Sequence, residues 1–451
     1  MSRHPTPDRE GPARPARAGH HPSEDSMATR RTENTPVRRR GVTAAERSPA
    51  PDIARGFMLL LIALAHAPMY VTGSDPGPVT HPQGGDALDR TVTFLGLDLV
   101  DNRAYPMFAA LFGYGMAMLV MRQRAAGTSA KASGRLLRRR GLFLVLFGFA
   151  HFVFVFPADI LAPYGVAALL FGWLLTRGDR ALGKGIVISA AVGAVTAVLL
   201  SVAVAVEQTE DAAAVRGTVW ADDYVSALGE RLAQVPFASL HILLGWPIPA
   251  AILVGAWAAR KRYLDDPGAH RALLRRVAVW GGTVSVLGGV PLALVGAGTW
   301  RAGDLATGLV TGLHVVTGFC GGLAYAAVFG LLVARTRDRG LEPGPVSRAL
   351  AAVGRRSLTS YLLQSALLAL VLARVAFGLG DHIHATGAAA VAVGVWLTVV
   401  AVAVALERAG RQGPLDALMR RLVYGGGRTA PAPAPAGEPV SRSAPGTGAA
   451  S

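Results

Sequence analysis

The sequence predicts an all-α, polytopic integral membrane protein with about ten transmembrane helices and both termini in the cytoplasm. The first observation is composition: 51% of the 451 residues are hydrophobic and 16% are charged, whereas soluble domains carry about 25% charged residues. The second is the recurrence of apolar stretches long enough to cross a hydrocarbon core of about 30 Å. The third is a segregation of basic and acidic residues into alternate loops, which predicts one orientation for the whole chain.

The predicted spans occupy, in chain order, residues of about 54–73, 104–121, 141–157, 160–176, 185–206, 241–259, 277–298, 305–334, 357–379 and 385–406. The third and fourth are short and are joined by a tight turn at Pro157-Ala-Asp159, so two spans are favoured over one re-entrant pair. The sixth contains Trp246-Pro-Ile-Pro249, whose prolines interrupt backbone hydrogen bonds. Such breaks are tolerated where neighbouring groups or a cavity satisfy the freed backbone atoms.

The net charge of +16 would favour nucleic acid as the partner of a soluble protein, but its distribution favours a membrane. Arginine and lysine concentrate in the loops 122–140, 260–276 and 335–356, whereas acidic residues concentrate in the loops 74–103 and 207–240. Basic loops face the cytoplasm. The sequence therefore predicts a multi-pass protein whose partner is the plasma-membrane bilayer and which binds no nucleic acid.

Composition divides the chain into four regions. Residues 1–50 are predicted to be a disordered basic cytoplasmic tail, because they contain few large apolar side chains; Met27 is an alternative start within this tail. Residues 51–406 form the predicted transmembrane domain, and residues 407–424 form a basic amphipathic segment at the membrane interface. Residues 425–451 are rich in Ala, Pro, Gly and Ser and are predicted to be a disordered tail.

Two histidines lie inside apolar spans at the same distance from an arginine. His66 follows Arg55 by eleven residues in the first span, and His151 follows Arg140 by the same number in the third. In a helix this spacing places both side chains of a pair on one face, about 16 Å apart. Both helices are predicted to run from inside to outside, so the two histidines are expected at similar depth. An ionisable residue inside a span predicts a functional site.

Six short motifs occur between about residues 51 and 424. They are Asp52-x-x-Arg55-Gly56, Phe108-x-x-Leu111-Phe112-Gly113-x-Gly115, Gly148-Phe-Ala-His151, Asp159-Ile-Leu-x-x-Tyr164-Gly165, Leu358-Thr-Ser-Tyr361-Leu-Leu-Gln364-Ser365 and Arg411-Gln-Gly-Pro-Leu-Asp416. In this order they resemble the YeiB-like family of bacterial integral membrane proteins, a family without an assigned activity. Members of that family can carry asparagine at the position of His66.

The first span is also similar to the entry helix of transmembrane acyltransferases, which include bacterial O-acyltransferases and lysosomal glucosamine N-acetyltransferases. In the O-acyltransferases a basic residue, ten further residues and a histidine mark that helix, and Arg55 and His66 match the pattern. This second resemblance implies an enzyme that moves an acyl group from cytoplasmic acyl-CoA to an envelope or small-molecule acceptor. Acyl-CoA would be a co-substrate, and neither a tightly bound cofactor nor a metal is expected.

The acyltransferase resemblance also implies roles for individual residues. His66 would act as the general base, His151 would orient the substrate, and Asp159 would orient an imidazole. The acyl-CoA phosphates would bind arginines in and beside the first basic loop. These arginines are Arg55, Arg135, Arg138, Arg139 and Arg140.

Structural roles are the alternative for the same residues. Arg55 can pair with Asp52 at i, i+3, His66 can hydrogen-bond a neighbouring carbonyl group, and Asp159 can cap the following helix. The arginines of the basic loop can act only as determinants of topology. At the level of the whole protein, a small-molecule transporter and a non-catalytic membrane scaffold are the alternatives to an acyltransferase, and the oligomeric state stays open.

Overall fold

The structure, a computed structural model, describes residues 48–73, 77–207, 219 and 221–425. In this part of the chain the regular elements are helices, which confirms the predicted all-α class. The predicted disordered tails lie outside the described residues, apart from a few residues at their inner ends.

Fourteen α-helices, numbered here in chain order, are found in the described residues. Their bounds are α1 (Ala50–His66), α2 (Ala87–Leu95), α3 (Ala104–Ala125), α4 (Ala130–Phe154), α5 (Leu161–Phe171), α6 (Asp179–Glu207), α7 (Tyr224–Gly245), α8 (Ile248–Arg260), α9 (Arg271–Gly296), α10 (Asp304–Asp338), α11 (Pro345–Arg355), α12 (Ser357–Leu372), α13 (Ala385–Arg408) and α14 (Pro414–Tyr424).

Six helical segments of the described residues are long and apolar enough to cross a membrane. They are Ala50–Tyr70, Ala87–Ala125, Asp179–Val206, Arg271–Gly296, Asp304–Asp338 and Ala385–Arg408. Three further apolar helical segments are shorter, namely Leu161–Thr176, Ile248–Arg260 and Ser357–Leu372. The structure therefore has the helices of a multi-pass membrane protein, and it supports six spans by length and composition. The full number of ten stays a prediction.

The loops predicted at 74–103 and 207–240 are in part helical, which corrects the sequence analysis. The first contains α2, which starts with a capping box formed by Asp86 and Asp89. The second contains most of α7. Acidic residues in these stretches indicated exposed loops, but acidic residues in a first turn also stabilise helix N-termini. The helical structure is interrupted at Trp246 and Pro247, between α7 and α8. The prolines of this stretch predict such an interruption.

The basic segments come together at one end of the bundle, which we call the arginine-rich end. Arginines there bind residues of neighbouring connections: Arg124 contacts Thr176, Arg260 contacts Asp179, Arg271 contacts Asp338, Arg139 contacts Leu422, and Arg356 contacts Glu407. The loops that the sequence assigns to one side of a membrane are therefore neighbours in the structure. Which side of the membrane this end faces stays a prediction.

The C-terminal helix α14 is attached to the start of α12 by a carboxylate. Asp416 accepts hydrogen bonds from the backbone N–H groups of Leu358 and Thr359 at 3.3 and 3.1 Å. It also accepts the Thr359 hydroxyl at 2.7 Å. A carboxylate stabilises a helix N-terminus in this way because the first N–H groups lack partners within the helix. Two of the six motifs in the sequence are thus direct structural partners.

Two glycines allow one pair of helices, α3 and α8, to approach at backbone distance. A Cβ at Gly113 in α3 would lie closer than 3.0 Å to the backbone oxygen of Ile252 in α8. A Cβ at Gly255 in α8 would lie equally close to the backbone oxygen of Ala110 in α3. Small residues at such crossings are typical of helix packing in membranes. The contact between α3 and α8 therefore has no room for a side chain on either helix.

At the end of the bundle opposite the arginine-rich end, Asp381 holds the chain after α12 against the chain after α1. Its carboxylate accepts the Thr72 hydroxyl and, at 2.8 and 2.9 Å, the Nε–H of Arg374. The backbone N–H of Thr72 donates to the Gly380 carbonyl oxygen at 3.3 Å. Burial opposes ionisation, but the hydrogen bonds from Thr72 and Arg374 hold the pKa of Asp381 below its usual range.

This contact is expected to open at acid pH. Because the pKa of Asp381 is lower in the folded protein than the usual value of about 3.9, its stabilising contribution is complete above that pH. The contribution is lost as the pH falls through the folded pKa. Hydrogen exchange at the Thr72 amide, corrected for its intrinsic pH dependence, should therefore accelerate as the pH falls below the usual aspartate pKa of about 3.9. An Asp381→Asn variant with the same acceleration would contradict this explanation.

Candidate functional site

His151 and Asp159 form a buried pair where α4 turns into α5. His151 lies in the last turn of α4, and Asp159 lies two residues before α5. The His151 Nδ1 is 2.8 Å from the Asp159 Oδ1, and the two residues are 2% and 1% exposed. The other carboxylate oxygen, Oδ2, accepts the backbone N–H of Ala162 at 2.7 Å. Asp159 therefore contacts an imidazole with one carboxylate oxygen and caps α5 with the other. The two roles that the sequence analysis gave as alternatives are compatible.

A glycine one turn before His151 makes this pair sterically possible. A Cβ at Gly148 would lie closer than 3.0 Å to the Asp159 Oδ2 and to the backbone nitrogen of Ala162. Gly165 in α5 is equally close to the backbone of α4 at Val145. Because both glycines lack a side chain, α4 and α5 approach closely enough for Asp159 to reach the imidazole. The sequence Gly148-Phe-Ala-His151 is thus a packing motif and a site motif at once.

The His151 ring contacts two aromatic side chains, one after the end of α4 and one in α12. The His151 Nε2 is buried and has no hydrogen-bond partner among the described residues. The ring centre of His151 is 5.0 Å from that of Tyr361 in α12 and 6.4 Å from that of Phe156. The His66 ring lies 4.6 Å from the same Phe156 ring. Both histidines contact one phenylalanine and are therefore neighbours in the structure; their common depth in a membrane stays a prediction.

The sequence analysis recorded the polar start of α12 but did not select Gln364 as a site residue. Gln364 is 0% exposed and lies almost one turn beyond Tyr361. Neither its amide oxygen nor its amide nitrogen has a hydrogen-bond partner among the described residues. Buried amides are normally hydrogen-bonded, so an unsatisfied one calls for an explanation such as a ligand or water. The signal available in the sequence was a glutamine inside an apolar run.

A row of aromatic side chains leads from the pair toward the arginine-rich end. Tyr164, five residues after Asp159, donates its hydroxyl to the Tyr105 carbonyl oxygen at 2.7 Å. Its ring centre lies 5.2 Å from that of Phe108 and 6.1 Å from that of Phe112. The Arg140 guanidinium lies over the Phe112 ring, 5.7 Å from its centre. Arg140 also shares one face of α4 with His151, because eleven residues separate them.

The predicted phosphate-binding arginines do not form one cluster. Arg55 donates to Asp52 at 3.1 Å and to the Leu111 carbonyl oxygen at 2.8 Å, so its i, i+3 pairing is realised. Arg139 donates to the Leu422 carbonyl oxygen at 2.7 Å. Arg135 and Arg138 are exposed, and two residues of helix turn Arg138 by about 200° from Arg140. Of the five arginines, Arg140 is the one that shares a helix face with the His151–Asp159 pair.

The His151–Asp159 pair has the arrangement of a general base whose proton-accepting atom is the His151 Nε2. A neutral imidazole whose Nδ1–H donates to a carboxylate has its Nε2 lone pair available as a proton acceptor. The carboxylate also stabilises the imidazolium that forms after proton uptake. A backbone N–H at the start of α5 and the dipole of that helix stabilise the Asp159 anion. This arrangement can take a proton from a hydroxyl or amine placed within hydrogen-bond distance of the His151 Nε2.

Comparison with known proteins finds similarity to proteins that are described as uncharacterised. Residues 258–426 match the model of a family described as "Protein of unknown function (DUF418)". The chain is 24% identical over 406 residues to the "Uncharacterized protein YxaH" of Bacillus subtilis (strain 168), a match that covers 84% of this chain and 94% of YxaH. It is 34% identical over 125 residues to an "Uncharacterized 39.9 kDa protein in amylase 3'region" of Bacillus acidopullulyticus, which covers 28% of this chain and 33% of that protein. The chain is thus similar to DUF418 proteins, and α9 to α14 lie in the matched region.

Proposed function

We propose that this membrane protein transfers an acyl group from acyl-CoA to a hydroxyl or amine acceptor, with His151 as the general base. The observation that carries the proposal is the His151–Asp159 pair, at 2.8 Å and fully enclosed, with the His151 Nε2 unpartnered. Nucleophile activation of this kind needs a base that a third group orients. The proposal moves the base from His66 to His151, because His151 has the orienting carboxylate.

In the proposed reaction one proton is transferred from the acceptor group to His151 and then from His151 to the leaving group. The His151 Nε2 takes the proton of the acceptor group as its oxygen or nitrogen attacks the thioester carbonyl carbon. The carbon–sulfur bond of the resulting tetrahedral adduct then breaks, and the sulfur of CoA takes the proton back from Nε2. The products are the acylated acceptor and free CoA. Asp159 accepts the Nδ1–H throughout and stabilises the imidazolium that exists between the two transfers.

Gln364 and His66 would bind the acceptor. Gln364 offers one acceptor and two donor positions without partners in the described structure, which suits an acceptor with hydroxyl or carbonyl groups. His66 stands across Phe156 from His151, and its Nδ1 is likewise unpartnered among the described residues. In this arrangement the acceptor would lie between α1, α4 and α12. A polar ligand there would satisfy buried groups that otherwise carry a desolvation cost.

The donor would approach from the arginine-rich end. Arg140 lies about 16 Å from His151 along one face of α4, and the rings of Phe112 and Tyr164 occupy the space between them. A donor whose phosphates bind Arg140 and whose pantetheine arm reaches the base would have to displace these buried rings. Arg55, whose guanidinium contacts Asp52 and Leu111, would then stabilise α1 against α3.

The test is transfer of label from radiolabelled acetyl-CoA or palmitoyl-CoA to a bacterial envelope extract by the protein in phospholipid vesicles. His151→Gln should lower transfer about 10²–10⁴-fold without changing acetyl-CoA binding. The matched control is His382→Gln, since His382 is exposed, and it should transfer at the wild-type rate. Equal transfer by folded His151→Gln, or no transfer and no CoA release by the wild type with either donor, would overturn the proposal.

Transport is the second candidate, and the break between α7 and α8 favours it. Trp246 at this break stacks on Tyr105 with 4.5 Å between ring centres, and Tyr105 in turn accepts the Tyr164 hydroxyl. Discontinuous helices line the substrate sites of many transporters. Transport predicts solute flux into vesicles that is independent of acyl-CoA, sensitive to Pro247→Ala and unchanged by Asp159→Asn. A scaffold predicts neither flux nor transfer.

A further inference from the structure

A second buried cluster of charged groups surrounds Arg103 at the start of α3. Arg103 is 1% exposed. Its Nε donates to the Ser285 hydroxyl at 3.0 Å, and its two terminal nitrogens donate to the carbonyl oxygens of Leu97, Asp101 and Ser285 at 2.8 to 3.1 Å. The guanidinium also lies 3.7 Å from an Asp98 carboxylate oxygen. Every nitrogen of this guanidinium is therefore engaged by α9 or by the turn before α3.

Glycines of two helices make the space for this arginine. A Cβ at Gly289 in α9 would lie closer than 3.0 Å to a terminal nitrogen of Arg103 and to the Asp98 carboxylate. A Cβ at Gly321 in α10 would lie closer than 3.0 Å to the Arg103 side chain and to the Ser285 hydroxyl. The charged groups thus occupy a pocket that exists because α9 and α10 lack side chains there. The packing around this cluster is as close as that around the His151–Asp159 pair.

His314 of α10 is neutral in this arrangement. It is 0% exposed, and its Nδ1 lies 2.9 Å from a terminal nitrogen of Arg103. A guanidinium only donates hydrogen bonds, so the histidine nitrogen must accept. A protonated histidine has no lone pair to offer. The remaining titratable groups that face the cluster are the phenols of Tyr105 and Tyr325, and the Tyr325 hydroxyl donates to the Leu99 carbonyl oxygen at 2.7 Å.

His81 and Asp101 complete the cluster. The His81 Nε2 is 2.5 Å from the Asp101 Oδ2, so the imidazole and the carboxylate are in direct hydrogen-bond contact. Both residues are 4% exposed. The His81 Nδ1 and one oxygen of Asp98 are buried and have no hydrogen-bond partner among the described residues. The Tyr105 hydroxyl, which also faces the cluster, is likewise buried without a hydrogen-bond partner among the described residues.

Charge balance decides the protonation of the cluster. Arg103 carries one positive charge, Asp98 and Asp101 carry two negative charges when ionised, and His314 is neutral, so the cluster holds a net negative charge unless it binds a further proton. An uncompensated charge in a buried site is costly, and nearby carboxylates resist joint ionisation. The His151–Asp159 pair differs, because there the start of α5 compensates the single carboxylate.

We propose that this cluster is a proton-binding site in which His81 and Asp101 share one exchangeable proton that makes the buried groups electrically neutral. The ligand is the proton itself, and its route to water is short. His81 is followed after one residue by the exposed stretch 83–86. The site lies at the end of α3 away from the arginine-rich end. Ionisable groups buried in membrane proteins are typical of proton pathways, and no step of the proposed acyl transfer uses this one.

The test is ¹⁵N NMR of the full chain labelled at its 11 histidines, which distinguishes imidazolium from each neutral tautomer. At about pH 8, well above the usual histidine pKa of about 6.5, one imidazolium signal should persist. It should disappear in His81→Gln and persist in His151→Gln, the matched variant of the other buried pair. In Asp101→Asn the His81 signal should become that of a neutral imidazole.

Three outcomes would overturn the proposal. One is the absence of any imidazolium signal from the folded wild type at about pH 8, a measurement that needs no variant. The second is an imidazolium signal that persists in His81→Gln. The third is an infrared band of a protonated carboxylic acid that Asp98→Asn removes, because it would place the extra proton on Asp98. Failure of acyl transfer in vesicles affects none of these readouts.

Discussion

Asp159→Asn is expected to lower the rate of acyl transfer about 10³–10⁴-fold while leaving the fold and acetyl-CoA binding unchanged. Asparagine can still accept the Ala162 N–H that caps α5, but it presents an amide N–H₂ group to the His151 Nδ1. The His151 Nδ1 then accepts a hydrogen bond from this amide group, and the proton of the neutral imidazole moves to Nε2. A ring with Nε2 protonated cannot take a proton from the acceptor substrate. Asp159 is therefore a positioning residue whose loss acts through a change of tautomer.

The tautomer separates this explanation from a structural role of Asp159. The ¹⁵N spectrum of His151 should show a proton on Nδ1 in the wild type and on Nε2 in Asp159→Asn. Asp159→Ser is the control for capping, since serine is an equally good N-terminal cap but has no carboxylate for the imidazole. It should keep the cap of α5 and lose transfer, while the buried His151 Nδ1 that loses its partner costs about 1–3 kcal/mol of stability. Wild-type transfer by Asp159→Asn, with the changed tautomer observed, would remove His151 from the role of base.

Helical periodicity and hydropathy predict part of the candidate site. The common spacing of Arg55–His66 and Arg140–His151 predicts both histidines at one depth, and both contact Phe156. The tight turn at Pro157-Ala-Asp159 predicts that the third and fourth spans follow each other closely. The sequence offers orientation or capping as alternative roles for Asp159, whereas the structure uses one carboxylate oxygen for each. This outcome depends on the distance between α4 and α5, which Gly148 sets and no pattern along one helix reveals.

Contacts between distant helices account for what the sequence leaves out. Tyr361 of α12 contacts His151 of α4, and the Leu111 carbonyl oxygen accepts a hydrogen bond from Arg55 because α1 packs beside α3. Hydropathy reads 74–103 as an exposed polar loop, since its charges lower the average. The structure instead buries Arg103 with Asp98 and Asp101. Opposite charges that pair with one another can be buried together. Mean hydropathy along the chain does not detect such pairs, because it counts each charged residue separately.

Gly113→Ala is expected to destabilise the protein by at least about 2 kcal/mol, because the new methyl group would overlap the backbone oxygen of Ile252. A backbone atom in a packed helix cannot move aside as the end of a long side chain can, so α3 and α8 would have to separate. Gly255→Ala creates the same overlap from the other helix, against Ala110. We expect each variant to lower the apparent unfolding temperature of the detergent-solubilised protein by about 5 °C.

The double variant provides the sharper test of this crossing. Once one methyl group has separated α3 from α8, the second meets less resistance, so Gly113→Ala with Gly255→Ala should cost less than the sum of the two single changes. Gly134→Ala in α4 is the matched control, because a Cβ there meets no atom within 4 Å and alanine favours a helix over glycine by about 0.5–1 kcal/mol. It should keep or raise the unfolding temperature. Additive losses in the double variant would mean that the two glycines act at separate contacts, and an unchanged unfolding temperature in either single variant would contradict the close crossing of α3 and α8.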